Sequence, residues 1–128
     1  MGSNIGALLS ALDDIRARRL VVDSLTAFLS GAEQEYDHSF LMHLIYKTLK
    51  GEGVTSLMTV SKSEGLGDKL GIEEVVADEI FELKNYVSQH MGLKTRFIAR
   101  KLRGTDHSRK YHSVAFTPRG IQILPYSP

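Results

Sequence analysis

Two clusters in this chain carry residue types that could do chemistry. The first is the aspartate in "RRLVVDSLTAFL" (Arg18–Leu29), which ends a short apolar run and is followed at once by Ser24 and Thr26. An acid at the tip of a buried strand is costly unless it caps a helix, binds a metal or holds a catalytic water. From "VVDS" alone, Asp23 or Ser24 capping the next helical turn is the preferred reading. The alternative is an acid at the carboxyl end of a parallel strand, holding Mg²⁺ directly or through water beside a phosphate. The second cluster is "RFIARKLRGTDHSRK" (Arg96–Lys110). Side chains two apart on a strand share a face, so Lys101 and Arg103 are expected to point one way. Arg96 and Arg100 point the other way with Ile98 and Leu102. Gly104 permits a turn that brings His107 back, and three such donors make a phosphate trap. A solvated cationic edge that discourages strand pairing is the plainer reading of the same run.

Other candidates are weaker. His38 and His43 are five apart and fall on different helical faces, which argues against a metal pair. Asp13 and Asp14 diverge on their helix. "GLGDKLG" (Gly65–Gly71) does not fit GxxxxGK[ST], because Lys69 falls between the second and third glycines, and it reads as a loop. Ser24, Thr59 and Ser61 have no evident His–Asp relay, so nucleophilic catalysis is not supported.

The elements that must position these residues follow from periodicity. The chain has 128 residues, 24% charged and 42% hydrophobic, with a net charge of +1 and no cysteine. That is globular composition sized for a single domain over residues 1–128, without disulfides or thiol chemistry. The charge gives no global reason to expect nucleic acid or an acidic membrane. No apolar run approaches membrane-spanning length and no signal peptide is evident, so a cytoplasmic protein is expected. Ile5, Leu8, Leu9, Leu12 and Ile15 predict a helix capped by Ser3 or Asn4 and closed by the cations of Arg16–Arg19. Leu20–Val22 reads as a short buried strand, and Leu25–Leu29 as a helical turn stopped by Gly31. Glu35–Lys50 is a helix with Phe40, Leu41, Leu44, Ile45 and Leu49 as its stripe. Gly53–Ser61 reads as a second buried strand, Ser63–Gly71 as loop, and Ile72–Val76 leads into a strand at Glu79–Leu83. A hairpin turning near His90–Gly92 returns through Thr95–Leu102. Ser113–Thr117 and Ile121–Leu124 follow, with "PRG" as the turn between them. The class is α/β: parallel strands with flanking helices, then a β-hairpin and short C-terminal strands.

The ordered set "VVDSLTAF", "LKGEGVTSLMT", "VADEIFEL", "KLRGTDH" and "VAFTPRGIQI" resembles the KaiC branch of the RecA-like ATPases, from about Ile5 to Pro125. "KLRGTDH" is the most specific piece. The resemblance implies a partial RecA-like sheet in which Asp23, followed by Ser24, is the Walker B acid serving Mg²⁺. It puts Thr59 at the tip of the sensor strand, and assigns Lys101, Arg103 and His107 to the phosphates of ATP held by a neighbouring subunit. The sequence departs from the pattern at Ser61, where the family often has an acid, and it contains no Walker A motif. It therefore looks like the C-terminal half of a KaiC-like domain. Phosphate cradling depends on the backbone N–H groups of the phosphate-binding loop. ATP and Mg²⁺ are thus expected only in an assembly, and the isolated chain is expected neither to bind ATP tightly nor to hydrolyse it. In the RecA-like sheet the phosphate-loop strand sits between the sensor strand and its successor. Gly53–Ser61 and Glu79–Leu83 must then either close up on each other or accept a strand from a second chain. Self-association is expected through strand edges and apolar surface. The expected partners are further copies of the chain and a complete KaiC-like ATPase. A non-catalytic oligomerising or regulatory protein is the second reading. Nucleic acid is the partner the sequence supports least, since only Phe97 and Tyr111 interleave with the cations.

Overall fold

A computed structural model describes residues 2–30, 38–61 and 76–126. The chain divides into two compact units, Met1–Val76 and Ala77–Pro128. Among the described residues no helix is long and apolar enough to cross a membrane.

The first unit runs α1 (Gly2–Asp14), β1 (Arg19–Val22), α2 (Leu25–Ser30), α3 (His38–Gly51) and β2 (Thr55–Met58). β1 and β2 pair in parallel, with Val21 opposite Leu57 and Val22 opposite Met58. Ile5 of α1 and Leu41, Ile45 and Leu49 of α3 form one buried cluster, joined by Leu9, Leu12, Leu20 and Met58. Leu25, Met42 and Val76 form another. Positions 41, 42, 45 and 49 lie within one stripe of a 3.6-residue helix, whereas Phe40 and Leu44 lie on its flank. Those two, expected in the stripe, are 59% and 41% exposed. The strands are half-buried rather than buried. Leu20, Val22 and Met58 pack on the helical clusters, but Val21 and Leu57 on the opposite face are 67% and 61% exposed.

The helix ends differ from expectation in an informative way. α1 starts at Gly2, so Ser3 and Asn4 lie inside it rather than capping it, and it stops at Asp14 before the arginines. Ala17 N–H bonds the Leu12 carbonyl and Arg16 N–H the Asp13 carbonyl. This is a Schellman closure. Arg16 occupies its left-handed position with φ of 51°. α3 closes identically: Val54 N–H bonds Leu49 and Gly53 N–H bonds Lys50, with Gly53 at φ of 70°. Each closure turns the chain directly into a strand. Thr55 N–H then bonds the Arg18 carbonyl, opening the β1–β2 ladder. The Gly31 stop and the Ser63–Gly71 loop lie outside the described residues.

The second unit is an antiparallel sheet in chain order, β3 (Glu79–Val87), β4 (Leu93–Leu102), β5 (His112–Thr117) and β6 (Gly120–Pro125). β3 and β4 turn where expected, through Ser88–Gly92, with Ser88 N–H on the Gly92 carbonyl and Met91 N–H on that of Ser88. β5 and β6 turn through Thr117–Gly120. β2 and β3 belong to different sheets, so they do not close up as ladder neighbours.

The register sorts the sheet into two unlike faces. One carries Phe81, Leu83, Val87, Leu93, Phe97, Val114, Phe116, Ile121 and Ile123, with Glu79 and His112 as its titratable side chains. Phe81 and Phe97 stack at 5.8 Å. Most of these side chains lie open, with Leu93 73% exposed, and every buried apolar residue among those described belongs to the first unit. The opposite face carries Lys84, Tyr86, Lys94, Arg96 and Leu124, with Tyr111 and Tyr126 at the ends of β5 and β6.

Candidate functional site

Asp23 and Thr59 are the residues that directly follow the paired ends Val22 and Met58. The parallel ladder therefore delivers both to the carboxyl edge of the sheet, where α/β folds place their ligands. Thr59 N–H bonds the Val22 carbonyl at 3.0 Å, Leu25 N–H bonds the Thr59 carbonyl at 2.8 Å, and Ser61 N–H donates to Thr26 Oγ1 at 2.9 Å. These bonds lock the start of α2 onto the end of β2. Against this frame the Thr59 hydroxyl donates to Asp23 Oδ1 at 2.7 Å.

The capping role belongs to Ser24 rather than Asp23. Ser24 Oγ accepts the Ala27 N–H at 3.1 Å, satisfying an otherwise orphaned donor of the first turn of α2. Asp23 is thus left out of the cap, and it is exposed rather than buried, so no desolvation cost attends its charge. The donor set fits Mg²⁺ held with a phosphate and not a protein-only cage. One exposed carboxylate beside two hydroxyls suits an ion that keeps waters and takes one or two carboxylates. No group of three or more His, Asp or Glu side chains that could hold a metal occurs among the described residues. His43 stands exposed on α3 and Asp13 and Asp14 are exposed at the end of α1, and none of the three belongs to a metal-holding cluster among the described residues.

In the second unit, Lys101 lies on β4, Arg103 just beyond it and His107 in the β4–β5 connection. The simple alternation expected for this strand fails at one point. Lys101 pairs with Ile80, but Ala99 pairs with Phe81, so the ladder skips Arg100 in a bulge. Adjacent residues of β3 face opposite ways, so Lys101 lies on the face of Ile80, Glu82, Ile98 and Arg96. It does not oppose Arg96, as an unbroken strand would require. Arg103 is engaged with Asp78, its Nη1 lying 2.8 Å from Asp78 Oδ1 and its N–H on the Asp78 carbonyl at 3.0 Å. His107 is half-buried, its Nδ1 3.4 Å from the Thr105 carbonyl oxygen. Asp78 and Glu82, which pairs with Arg100, were not picked out from sequence. Both acids are brought to their arginines by the β3–β4 register, a contact that spacing along the chain does not reveal.

A tyrosine–arginine cluster was also missed. The Arg96 guanidinium lies 4.4 Å from the centre of the Tyr111 ring and 5.7 Å from that of Tyr86. Tyr86 on β3 and Tyr126 after β6 meet at 6.2 Å although they come from opposite edges of the sheet. Desolvation, then the neighbouring Tyr126 hydroxyl, raises the Tyr86 pKa above the usual 10.0, with the Arg96 charge pulling it back.

The architecture of two helix-flanked parallel strands followed by a four-stranded antiparallel sheet is part of a RecA-like fold. The sequence model of the family described as "ATPase: KaiC" matches residues 1–127. The chain is 32% identical to the circadian clock oscillator protein KaiC of Synechococcus elongatus, with 97% of the chain aligned to 25% of that protein. It is 29% identical to the circadian clock protein KaiC3 of Synechocystis, 99% of it aligned to 26% of that relative. It therefore spans about a quarter of the length of these relatives. Among solved structures, a KaiC-like protein of the archaeon Pyrococcus horikoshii matches with a TM-score of 0.78 and 27% identity, over 97% of this chain and 56% of that one. With the family model covering nearly every residue and the fold agreeing, this chain belongs to the KaiC family of ATPases.

Proposed function

We propose that this chain lends residues to an ATPase site completed by a phosphate-binding loop that its own sequence does not hold. The observation that carries this reading is Asp23 at the carboxyl end of β1, oriented by Thr59 from the end of the adjacent parallel strand. In such a site Asp23 acts as the Walker B acid, with Ser24 fixing the turn behind it. Mg²⁺ bound there with ATP would neutralise phosphate charge, and Asp23 would hold it directly or through a water. Lys101, Arg103 and His107 reach the phosphates of ATP held by a neighbouring subunit. The chain alone is not an autonomous ATPase.

Support for an assembly comes from the apolar faces. Val21 and Leu57 on one sheet, and Phe81, Leu83, Val87, Leu93, Phe116 and Ile121 on the other, are open in a single copy. Exposed patches of this kind mark surfaces that a partner covers. The same observation favours the second reading, an oligomerising or regulatory scaffold without catalysis.

One mixing experiment separates the two. The purified chain should show neither micromolar ATP affinity nor Mg²⁺-dependent phosphate release. Added to a complete KaiC-like ATPase from the same cell, it should change turnover, and Lys101→Ala and Arg103→Ala should abolish that change. Association that survives in both variants with turnover never altered would establish the scaffold instead. Light scattering should show self-association that Leu83→Lys with Phe116→Lys removes. A monomer at high concentration with a cooperative melt would sink the assembly.

A further inference from the structure

We infer that the apolar face of the β3–β6 sheet pairs with the same face of a second copy about a two-fold axis, and that His112 makes this pairing weaken as pH falls. The inference rests on the self-association put forward above and deepens it by naming the surface, the number of copies and the controlling group. A sheet with one apolar face must bury it against another layer. The second unit supplies none, because its described residues form one sheet and the connections between its strands. Seven side chains of the face, from Phe81 to Ile123, are each between 48% and 73% exposed. At about 150–250 Å² for each when fully exposed, they present roughly 800 Å². The largest apolar patch of a typical monomer is about 300–600 Å². About 800 Å² is what each partner buries in a stable interface of standard size.

The polar groups of the face are few and placed for covering. Leu83, Phe97, His112 and Pro125 form one row across all four strands, and Asn85, Thr95, Val114 and Ile123 the next. Thr95 Oγ1 donates to Asn85 Oδ1 at 2.7 Å, a bond that survives beneath a second layer. Glu79 stands at the outer end of the edge strand β3. His112 lies on the inner strand β5, half-buried, and its Nδ1 is buried with no hydrogen-bond partner among the described residues. A face so poor in charge has no cationic array for lipid phosphates and no pattern for a charged peptide. It matches a surface as neutral as itself, which a second copy provides. Two such sheets stacked about 10 Å apart make the two layers of a β-sandwich. Contact between identical patches closes at two copies. Lys101 lies on the opposite face, outside the contact.

A histidine inside such a contact couples it to protons. Imidazole changes charge between about pH 5 and 8, and a charge enclosed between two apolar sheets is costly unless it is paired. On the neighbouring strands His112 meets Phe97 and Pro125, and neither can balance a cation. Glu79 is four positions along β3 from Leu83 of the same row, roughly 13 Å down the strand. Arg109, Lys110, Tyr111 and Tyr126, around the hollow that His112 helps to line, are cations and phenols. None of these offsets a further positive charge. Acid therefore favours the separated copies, in which the imidazolium can reach water.

Sedimentation equilibrium of the full chain over a range of concentrations tests this. Near neutral pH the mass should rise from 14.3 kDa to twice that and stop there. Leu93→Glu, at a site already open in a single copy, should weaken pairing at least about tenfold with an unchanged circular dichroism spectrum. Lys84→Glu, on the opposite face, should not weaken it. Lowering the pH from about 7.5 to about 5.5 should raise the dissociation constant at least about tenfold. His112→Phe and His112→Gln, neutral at both values, should keep the pair and remove that dependence. Lys101→Ala should keep the pair whatever it does to the turnover of a partner ATPase, so the two readings fail separately. A chain monomeric at every concentration overturns this inference and the assembly together. Pairing that ignores Leu93→Glu, growth beyond two copies, or a pH dependence that persists in both His112 variants overturns the inference alone. So does a monomer that co-sediments with phosphatidylcholine–phosphatidylserine vesicles until Leu93→Glu releases it, which would give the face to lipid.

Discussion

The hydroxyl of Thr59 at the tip of β2 donates to the carboxylate of Asp23 at the tip of β1, and this bond of 2.7 Å ties together two residues 36 positions apart in sequence. Both are exposed, so the bond serves orientation more than stability. Thr59→Val should lower the unfolding free energy by about 1 kcal/mol, whereas Thr59→Ser should be nearly silent. In a reconstituted ATPase assembly the two should separate further. Asp23→Asn, which keeps the shape and loses the charge, should abolish the chain's Mg²⁺-dependent effect on turnover, while leaving its urea midpoint close to that of the unaltered chain.

A pair of identical helix endings gives a second test. Arg16 and Gly53 fill the same left-handed position of the closures that end α1 and α3. A non-glycine residue pays about 1–2 kcal/mol there, and nothing lies within 4 Å of a Cβ built on Gly53, so the difference is backbone strain alone. Arg16→Gly should stabilise the chain by about 1 kcal/mol and Gly53→Ala should destabilise it by about the same amount, both read from urea unfolding.

Those endings also show where the sequence was legible. Apolar spacing located α1, α3 and the strands of the second unit, because periodicity records which residues share a face of each element. It misjudged what depends on neighbours. Leu20–Val22 and Gly53–Ser61 look like buried strands by composition, yet Val21 and Leu57 are open because helices cover only one side of their sheet. Arg16 looked like a charge suited to a helix dipole, and its backbone role is invisible in its side chain. The alternation of β4 failed at Arg100 because a bulge leaves no mark in the residue pattern. Asp23 and Thr59 could be named from a motif, but their mutual bond is a product of parallel register.

Tyr86 offers a prediction in pH. Its phenol is held protonated beyond the ordinary 10.0 by desolvation first and by Tyr126 second. A raised folded-state pKa favours the neutral form in the folded chain. This contribution to stability is complete below the unfolded value near 10 and is lost as pH rises through the folded one. The urea midpoint should therefore fall as pH climbs past about 10. In ultraviolet titration one tyrosine should ionise after the others, and Tyr126→Phe should bring it back towards them. A single unshifted tyrosine transition would contradict the cluster.

The Arg103 guanidinium gives an Nη1 donor to the Asp78 carboxylate, while its backbone N–H bonds the Asp78 carbonyl, so a phosphate on a neighbouring subunit would compete with Asp78 for the side chain. Their side chains are 48% and 44% exposed, a setting in which an ion pair is worth about 0.2–1 kcal/mol. Asp78→Asn should accordingly cost little stability, an effect that high salt would erase. If Arg103 contacts ATP in an assembly, the same change should tighten the apparent ATP affinity of the mixed complex by up to about fivefold, the conversion of that same energy. Arg103→Lys should not substitute, because a compact ammonium lacks the planar fork that grips phosphate oxygens in pairs. An Asp78→Asn chain that leaves ATP affinity unchanged while Arg103→Ala also changes nothing would remove Arg103 from the site.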